Sequence, residues 1–391
     1  MQTIQRLKLT LSSITLLSSW LLLNAQPEST LPTPPQPQSL PYPSQALLFA
    51  QQVEQYDPND VYDRYKLYVV LRSQDVPLEQ RKTLALRILT GNYPSRPDFT
   101  GYSEGIYGLW VGALVALSHI HMDDPSLIPF LEEYLPKWEQ AVSASDPDQL
   151  PSEIRRLARR TSPNVQLARA LLYRLKAVEA VPQVKSGADL EKRLEVMLKE
   201  AGLTRQQMFQ YYEEYLERLL NRRFTAPDSR PVSLAYWLAE EYGRMLFHYA
   251  KRGIDVSGIV KADSTDKVMT KWSEQVRFAK LAVQPEQLIR ELLKQRITDE
   301  RYGQILVDEG VRVVPLIIQQ LEALKHDRSQ VSDTGMGLVT LLEALVTLVG
   351  KSAVPLLEPF TQDEREWLCA YAQMAIQKAQ EGKVFGFHPS L

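Results

Sequence analysis

The residue types best suited to chemistry sit in a few short stretches of the chain. Arg155, Arg156, Arg159 and Arg160 form two i, i+4 pairs, so a helix there carries them on one side while Ile154, Leu157 and Ala158 face the other. With Arg169, Arg174 and Lys176 close behind, this is the strongest local positive field, suited to a carboxylate-rich or phosphate-bearing partner. The competing reading is a solvated face neutralised by Glu132, Glu133, Asp146 or Asp148. His119, His121, Asp123 and Asp124 are ordinary ligand types for zinc or manganese. However, residues two apart point to different sides of a helix, and Asp124 before Pro125 suits a helix N-cap, so no metal site is expected. Tyr211, Tyr212, Tyr215, Tyr236, Trp237, Tyr242, Phe247 and Tyr249 concentrate rings on which a sugar or peptide could stack, although aromatics at helical spacing are usually core. No phosphate-cradling glycine loop, nucleophile elbow or paired-histidine helix motif is present, and no cofactor is expected. The one cysteine, Cys369, lies in a helical pattern as a small hydrophobe and can form neither an intramolecular disulfide nor a thiolate metal site.

The elements that hold these residues read as helices throughout. From Ser44 onward apolar residues recur at helical spacing, as in Val61, Tyr65, Tyr68 and Val69, or Met208, Tyr212, Tyr215 and Leu219. Only 17 glycines occur in 391 residues, and the long stretches of Leu, Ala, Glu, Gln and Arg favour helix because unbranched side chains keep rotamer freedom there. Pro58, Pro77, Pro125, Pro151, Pro163 and Pro285 each stand where a helix can begin without a backbone donor. The 45 Lys and Arg are offset by 47 Asp and Glu, so the molecule as a whole has no pull toward nucleic acid.

At the N-terminus, residues 1–25 read as a secretory signal: Arg6 and Lys8 precede an uncharged apolar stretch from Leu9 to Leu23, with Ala25 as a cleavage residue. The apolar run is shorter than the roughly 20 residues that span a bilayer, which favours a cleaved signal over an anchor. The expected location is outside the cytoplasm, periplasmic or extracellular. Residues 26–43, rich in proline, form an extended spacer. The breaks at 181–187 and 253–266 divide the rest into a helical region over 44–180, a helical hairpin region over 188–282 and a repeat region over 284–391.

The repeat is carried by Gly310, Val314, Pro315 and Leu316, which recur as Gly350, Val354, Pro355 and Leu356, about forty residues later. In each copy glycine ends one helix in the left-handed conformation and proline opens the next. Leu338, Leu341, Leu342, Leu345 and Leu348 give the second copy a wide apolar face that a single helix pair cannot bury alone. These residues, Leu345 to Leu357 above all, resemble the HEAT and HEAT-like repeat family over about 298–381. Leu368 and Cys369 depart from the Val-Arg usual in that family, as a terminal capping unit would. The resemblance implies an α-solenoid in the last third and the binding of protein partners, with no catalytic residues to transfer.

A second, shorter resemblance concerns Ser103-Glu104-Gly105-Ile106-Tyr107-Gly108, which looks like the Ser-Glu-Gly segment of family eight glycoside hydrolases. It implies a helical toroid with Glu104 as general acid. The spacing to Tyr107-Gly108 is one residue short of that pattern and no matching aspartate motif follows, so helix capping by Ser103 and Glu104 is the alternative. The expectation drawn from the whole sequence is an all-α, exported, non-enzymatic scaffold that binds another protein, with the four arginines as its candidate binding residues.

Overall fold

The computed structural model describes residues 42–93, 104–158, 161, 165–220, 230–260, 266–297, 299–327 and 329–386. The expected signal over 1–25 and nearly all of the spacer over 26–43 lie outside the described residues. The described residues are helical throughout, without a strand.

Local chemistry sets the helix starts. Ser44 caps α1 (Gln45–Gln51), and Asp60 caps α2 (Val61–Arg72) by accepting from the amides of Tyr62 and Asp63. Pro77 precedes α3 (Leu78–Leu89), whose residues Leu84, Ala85, Ile88 and Leu89 turn inward against the long apolar α4 (Glu104–Ile120). Val61 was expected on the buried stripe of α2, but it is exposed. It occupies the first turn beside the cap, and the buried run begins at Leu67.

Asp124 accepts from Ser126 N in the turn before α5 (Ile128–Ser143), as its place before Pro125 predicts. A short α6 (Ser152–Ala158) leads to α7 (Gln166–Ala180). Next come α8 (Gly187–Ala201), ended by Gly202 in the left-handed conformation, and α9 (Arg205–Leu220). The longest helix among the described residues, α10 (Arg230–Lys251), packs against α7, α8, α9 and α11 (Lys267–Ala282), and from Val232 to Tyr249 every residue is buried.

The last third holds α12 (Pro285–Leu293), α13 (Glu300–Asp308), α14 (Val314–His326), α15 (Met336–Val349), α16 (Val354–Leu357) and α17 (Glu366–Gln380). The two glycine units have a similar local form, although Gly350, at φ 54 and ψ -126, departs from the left-handed helical conformation expected of both. Gly310 and Gly350 both have positive φ, each opens a four-residue 3-10 turn, and each turn leads into a helix starting Val-Pro-Leu. They differ afterwards: α14 runs for 13 residues, whereas α16 stops after four and passes into a second 3-10 turn at Glu358-Pro359. Pro359 in the first turn of that segment has no amide to continue the α-helical ladder. The stretch Met336–Gln362 is long and apolar enough by composition to cross a membrane, yet most of it is buried among the other helices.

The succession of packed helices returns to its start, for α13 meets α2 and α15 meets α1. The joint is polar. Arg72 Nη2 donates to Asp308 Oδ2 at 2.7 Å, Gln74 N donates to the carbonyl of Asp308 at 3.0 Å, and Asp75 accepts from Val311 N at 3.1 Å and Ser44 Oγ at 2.7 Å. Both repeat glycines lie under N-terminal side chains: a Cβ on Gly310 would come within 2.2 Å of Asp75 Oδ1, and one on Gly350 within 2.6 Å of Gln45 Cδ.

The glycines therefore give a graded test. Gly310→Ala adds a strained φ and displaces the Asp75 carboxylate, for an expected loss of about 2–4 kcal/mol in urea unfolding. Gly202→Ala, at φ +66 with nothing among the described residues within 4 Å of an added Cβ, carries the backbone cost alone, about 1 kcal/mol. Equal losses at the two sites would show that the Asp75 contact contributes nothing.

Candidate functional site

The charged residues of α10 are buried with the rest of the helix, and their partners decide what they can do. Glu241, fully enclosed, lies 2.8 Å from Arg174 Nε of α7, pairs with Arg244 one turn on, and accepts from Ser118 Oγ of α4 at 2.9 Å. Arg174 also donates to the carbonyls of Met122 and Ser118 at 2.9 and 2.8 Å. Glu240 meets Tyr212 Oη at 3.2 Å and Lys271 Nζ at 3.5 Å. Burial pushes the Glu240 carboxyl up and the Lys271 ammonium down. Paired in this way, these groups tie α4, α7, α9, α10 and α11 together.

The sequence pointed to a positive field continuing from Arg155 through Arg174. The structure separates its members. Arg174 is wholly buried on Glu241, and Arg169 pairs with Glu139. Arg155 and Arg156 are exposed on α6, with the Arg155 guanidinium donating to the carbonyl of Leu150 at 3.0 Å. Arg159 and Arg160 lie outside the described residues. Glu132 and Glu133, expected to neutralise the arginines, are instead engaged by Lys176 and Lys137 at 3.1 and 2.8 Å.

The His119 to Asp124 stretch is also dispersed. His119 is buried and held neutral by burial and by Arg72, Arg244 and Arg174 around it. Asp123 takes Arg252 Nη1 at 2.5 Å, Arg193 Nη1 at 3.3 Å and the Tyr249 hydroxyl, with His248 Nε2 at 3.5 Å. His121 Nδ1 meets both Asp124 Oδ2 at 3.1 Å and Ser126 Oγ at 3.4 Å. A serine–histidine–aspartate relay needs the acid and the hydroxyl on opposite ring nitrogens, so this arrangement cannot activate the serine. Among the described residues no three His, Cys, Asp or Glu side chains gather as a metal site. Glu104 begins α4, and its side chain lies outside the described residues, as does Ser103.

The aromatic concentration is core. Tyr236 stacks with both Tyr212 and Tyr215, with ring centroids 5.2 and 4.2 Å away, and Trp237, Tyr242, Phe247 and Tyr249 are buried. Tyr211 is only partly covered.

The surface offers two features that residue typing did not single out. One is the outer face of α17. Its inner side buries Leu368, Ala372, Ala375 and Ala379, while Trp367, Ala370 and Met374 repeat at i, i+3, i+7 toward solvent. Trp367 is 37% exposed and Met374 36%. The Trp367 ring lies over Gly335, where a Cβ would come within 2.6 Å of it, and the Arg365 guanidinium stands 5.8 Å from its centroid. Thr334, beside Gly335, donates to the carbonyl of Arg296 at 2.8 Å, which brings the segment carrying Ile297, 75% exposed, toward the same end. Cys369 is half-buried on this helix, its thiol donating to the Thr361 carbonyl at 2.6 Å.

The other feature is a groove between α8 and α9. These helices follow one another in the chain but pack elsewhere, α8 on α7 and α10, and α9 on α10 and α11. A hollow of about 340 Å³ opens along α8 where the chain turns into α9 and a second of about 560 Å³ lies along α9 beside Asp266, both bordered by Arg205. Sequence patterning does not reveal such divergence, because it reports each helix's apolar face and not the angle between helices. Comparison with family models, with curated proteins and with solved structures finds no match to this chain.

Two outcomes follow from the ion network. Glu241→Gln strands Arg174 and Arg244 in the core and should cost about 3–5 kcal/mol in chemical unfolding; a loss below about 1 kcal/mol would mean other groups neutralise the arginines. For Asp123, burial would raise the carboxyl pKa, but bonds from His248 and Tyr249 and the charges of His248 and Arg252 outweigh it and hold the pKa well below the usual range. A depressed carboxylate adds stability above its unfolded pKa and loses it as pH falls toward the folded value. Asp123→Asn should therefore be less stable than wild type at neutral pH, with the gap narrowing as acid is added below about pH 4. A pH-independent gap in thermal melts would contradict this.

Proposed function

We propose that the protein is an exported, non-enzymatic helical scaffold that binds another protein through the outer face of α17. The observation that carries this reading is the exposed Trp367–Ala370–Met374 stripe on the last helix of the stack. A partly exposed tryptophan already fixed by packing over Gly335 loses little side-chain entropy when a partner covers it, and tryptophan is enriched among the residues that dominate interface energies. The partner contributes an apolar helix that packs on α17 as a further helix of the stack, in the manner of helical repeats. The resemblance of residues 298–381 to HEAT-like units and the recurrence of the Gly–3-10–Val-Pro-Leu form support the same reading. Export rests on the basic start and apolar run of residues 1–25.

The test is photocrosslinking in the full chain, with the reactive group at Gln373 beside the stripe and at the exposed Gln140 of α5 as a distant control. A heterologous crosslink at Gln373 that is absent at Gln140 is expected. With the captured partner purified, Trp367→Glu should weaken binding by roughly 30-fold or more, the effect of losing an anchor of about 2 kcal/mol. Crosslinks only between copies of this chain, or equal labelling at both positions, would overturn the assignment. Export is checked separately by sequencing the mature N-terminus from the exported fraction.

A further inference from the structure

The groove between α8 and α9 holds one of the protein's own cations in the place a ligand's cation would take. Arg205, the first residue of α9, reaches across to Glu191 of α8, with Nη1 2.8 Å from Oε2 and Nη2 3.3 Å from Oε1. Its guanidinium also stands 5.8 Å from the Phe209 ring and 6.0 Å from the Trp272 ring. Those rings meet edge to face at 5.7 Å, and Tyr242 joins Trp272 at 4.8 Å. A cation between a carboxylate and a set of aromatic faces is the arrangement by which proteins recognise lysine and arginine side chains.

The surroundings favour the same sign of charge. Leu194, Leu198 and Leu203 line the first hollow, with Glu195 and Lys199 at its edge. Glu213 and Asp266 border the second. Counting Glu191 and Arg205, four carboxylates face two cations. Asp266 caps α11 and Glu191 is bridged, so Glu195 and Glu213 are the carboxylates available to a partner. The Tyr242 hydroxyl is wholly buried and has no hydrogen-bond partner among the described residues, and burial keeps it protonated. It is a donor left unused near the Glu191 carboxylate and the Arg205 guanidinium, both close enough to act on it electrostatically.

We infer that this groove binds a cationic amphipathic segment of a partner protein, whose lysine or arginine displaces Arg205 from Glu191 and the Phe209–Trp272 rings while its apolar side chains enter beside Leu198 and Leu203. Arg205 then acts as a tethered competitor. Its removal opens the site, whereas an arginine that served to hold an acidic partner would weaken binding when removed. The groove lies on different helices from the α17 face, so the two assignments stand or fall separately.

The experiment uses the full chain and a fluorescein-labelled amphipathic peptide about four turns long, leucine on one face and lysine on the other. Its counterpart carries glutamate in place of lysine. Fluorescence anisotropy should show binding of the lysine peptide that weakens with added salt, and at least tenfold weaker binding of the glutamate peptide. Arg205→Ala should tighten the lysine peptide by roughly tenfold, and Arg205→Lys, which keeps a competing cation, should leave it near wild type. The pair Glu195→Lys and Glu213→Lys should weaken it tenfold or more. Trp367→Glu should change nothing. Circular dichroism confirms that each variant is folded, and should Arg205→Ala fail to fold, Arg205→Gln replaces it with the same expectation. No binding of the lysine peptide, equal binding of the glutamate peptide, or weaker binding after Arg205 is removed would each overturn the inference.

Discussion

Helix α10 is covered on every side from Val232 to Tyr249, and so its ionised groups must find all their partners inside the protein. Removing a carboxylate or guanidinium from water costs several kcal/mol before any pairing offsets it. Glu241 therefore does more than hold Arg244 one turn away on its own helix. By taking Arg174 from α7 and Ser118 from α4 it fixes where those helices sit, since a shift of either would leave a buried charge exposed to apolar surroundings. Asp123 does the same at the end of α4, drawing together Arg193 from α8 and Tyr249 and Arg252 from the end of α10. An apolar core tolerates sliding more readily than a paired ionic one, because dispersion contacts can be exchanged for similar ones and directed pairs cannot.

The last third solves the same burial problem differently. Helix α15 is almost entirely buried too, but it is built mainly from Leu and Val, and its hydroxyls turn back on its own backbone, Thr347 donating to the Glu343 carbonyl at 2.9 Å. It specifies position by shape. Gly337 lets α15 lie directly on the backbone of α12, where a Cβ would come within 1.8 Å of the Leu292 carbonyl oxygen. The Ser332–Thr334 loop then satisfies the free carbonyls at the end of α12, from Leu293, Gln295 and Arg296. These two styles of packing meet at the joint of α2 with α13, where Arg72 and Asp308 form a buried pair and Asp75 closes over Gly310.

What was legible in the sequence follows this division. The helix starts at Pro77, Asp124 and Pro285, the apolar face of α15 and the two glycine units could be read because they depend on local backbone chemistry and on period, whereas Pro58 lies in the turn before the Asp60 cap and does not open a helix. The ionic core could not. Glu240, Glu241, Arg244, His248 and Lys251 are spaced along α10 as a solvated face would be, and nothing in the pattern distinguishes a charge paired across 123 residues, as Ser118 and Glu241 are, from one in water. The same limit misplaced Arg174, which was expected to extend the field of Arg155 and Arg156. The repeat glycines were expected to serve their own turns; that Asp75 and Gln45 also rest on them is a long-range fact with no local trace.

The two surfaces assigned to partners inherit these origins. The α17 face is apolar and ready-made, with Trp367 already seated on Gly335, so recognition there depends on shape and burial and should respond weakly to salt. The groove beside Arg205 is polar and self-occupied, and a ligand must first break the Glu191 pair, so its affinity is a difference between two cations competing for one carboxylate and one set of rings. That difference is small unless the ligand also brings apolar surface to the hollow beside Leu198 and Leu203, which Arg205 cannot fill. Selectivity in the groove therefore comes from requiring charge and hydrophobic contact together: a free cation gains nothing over Arg205, and an uncharged apolar segment cannot displace it.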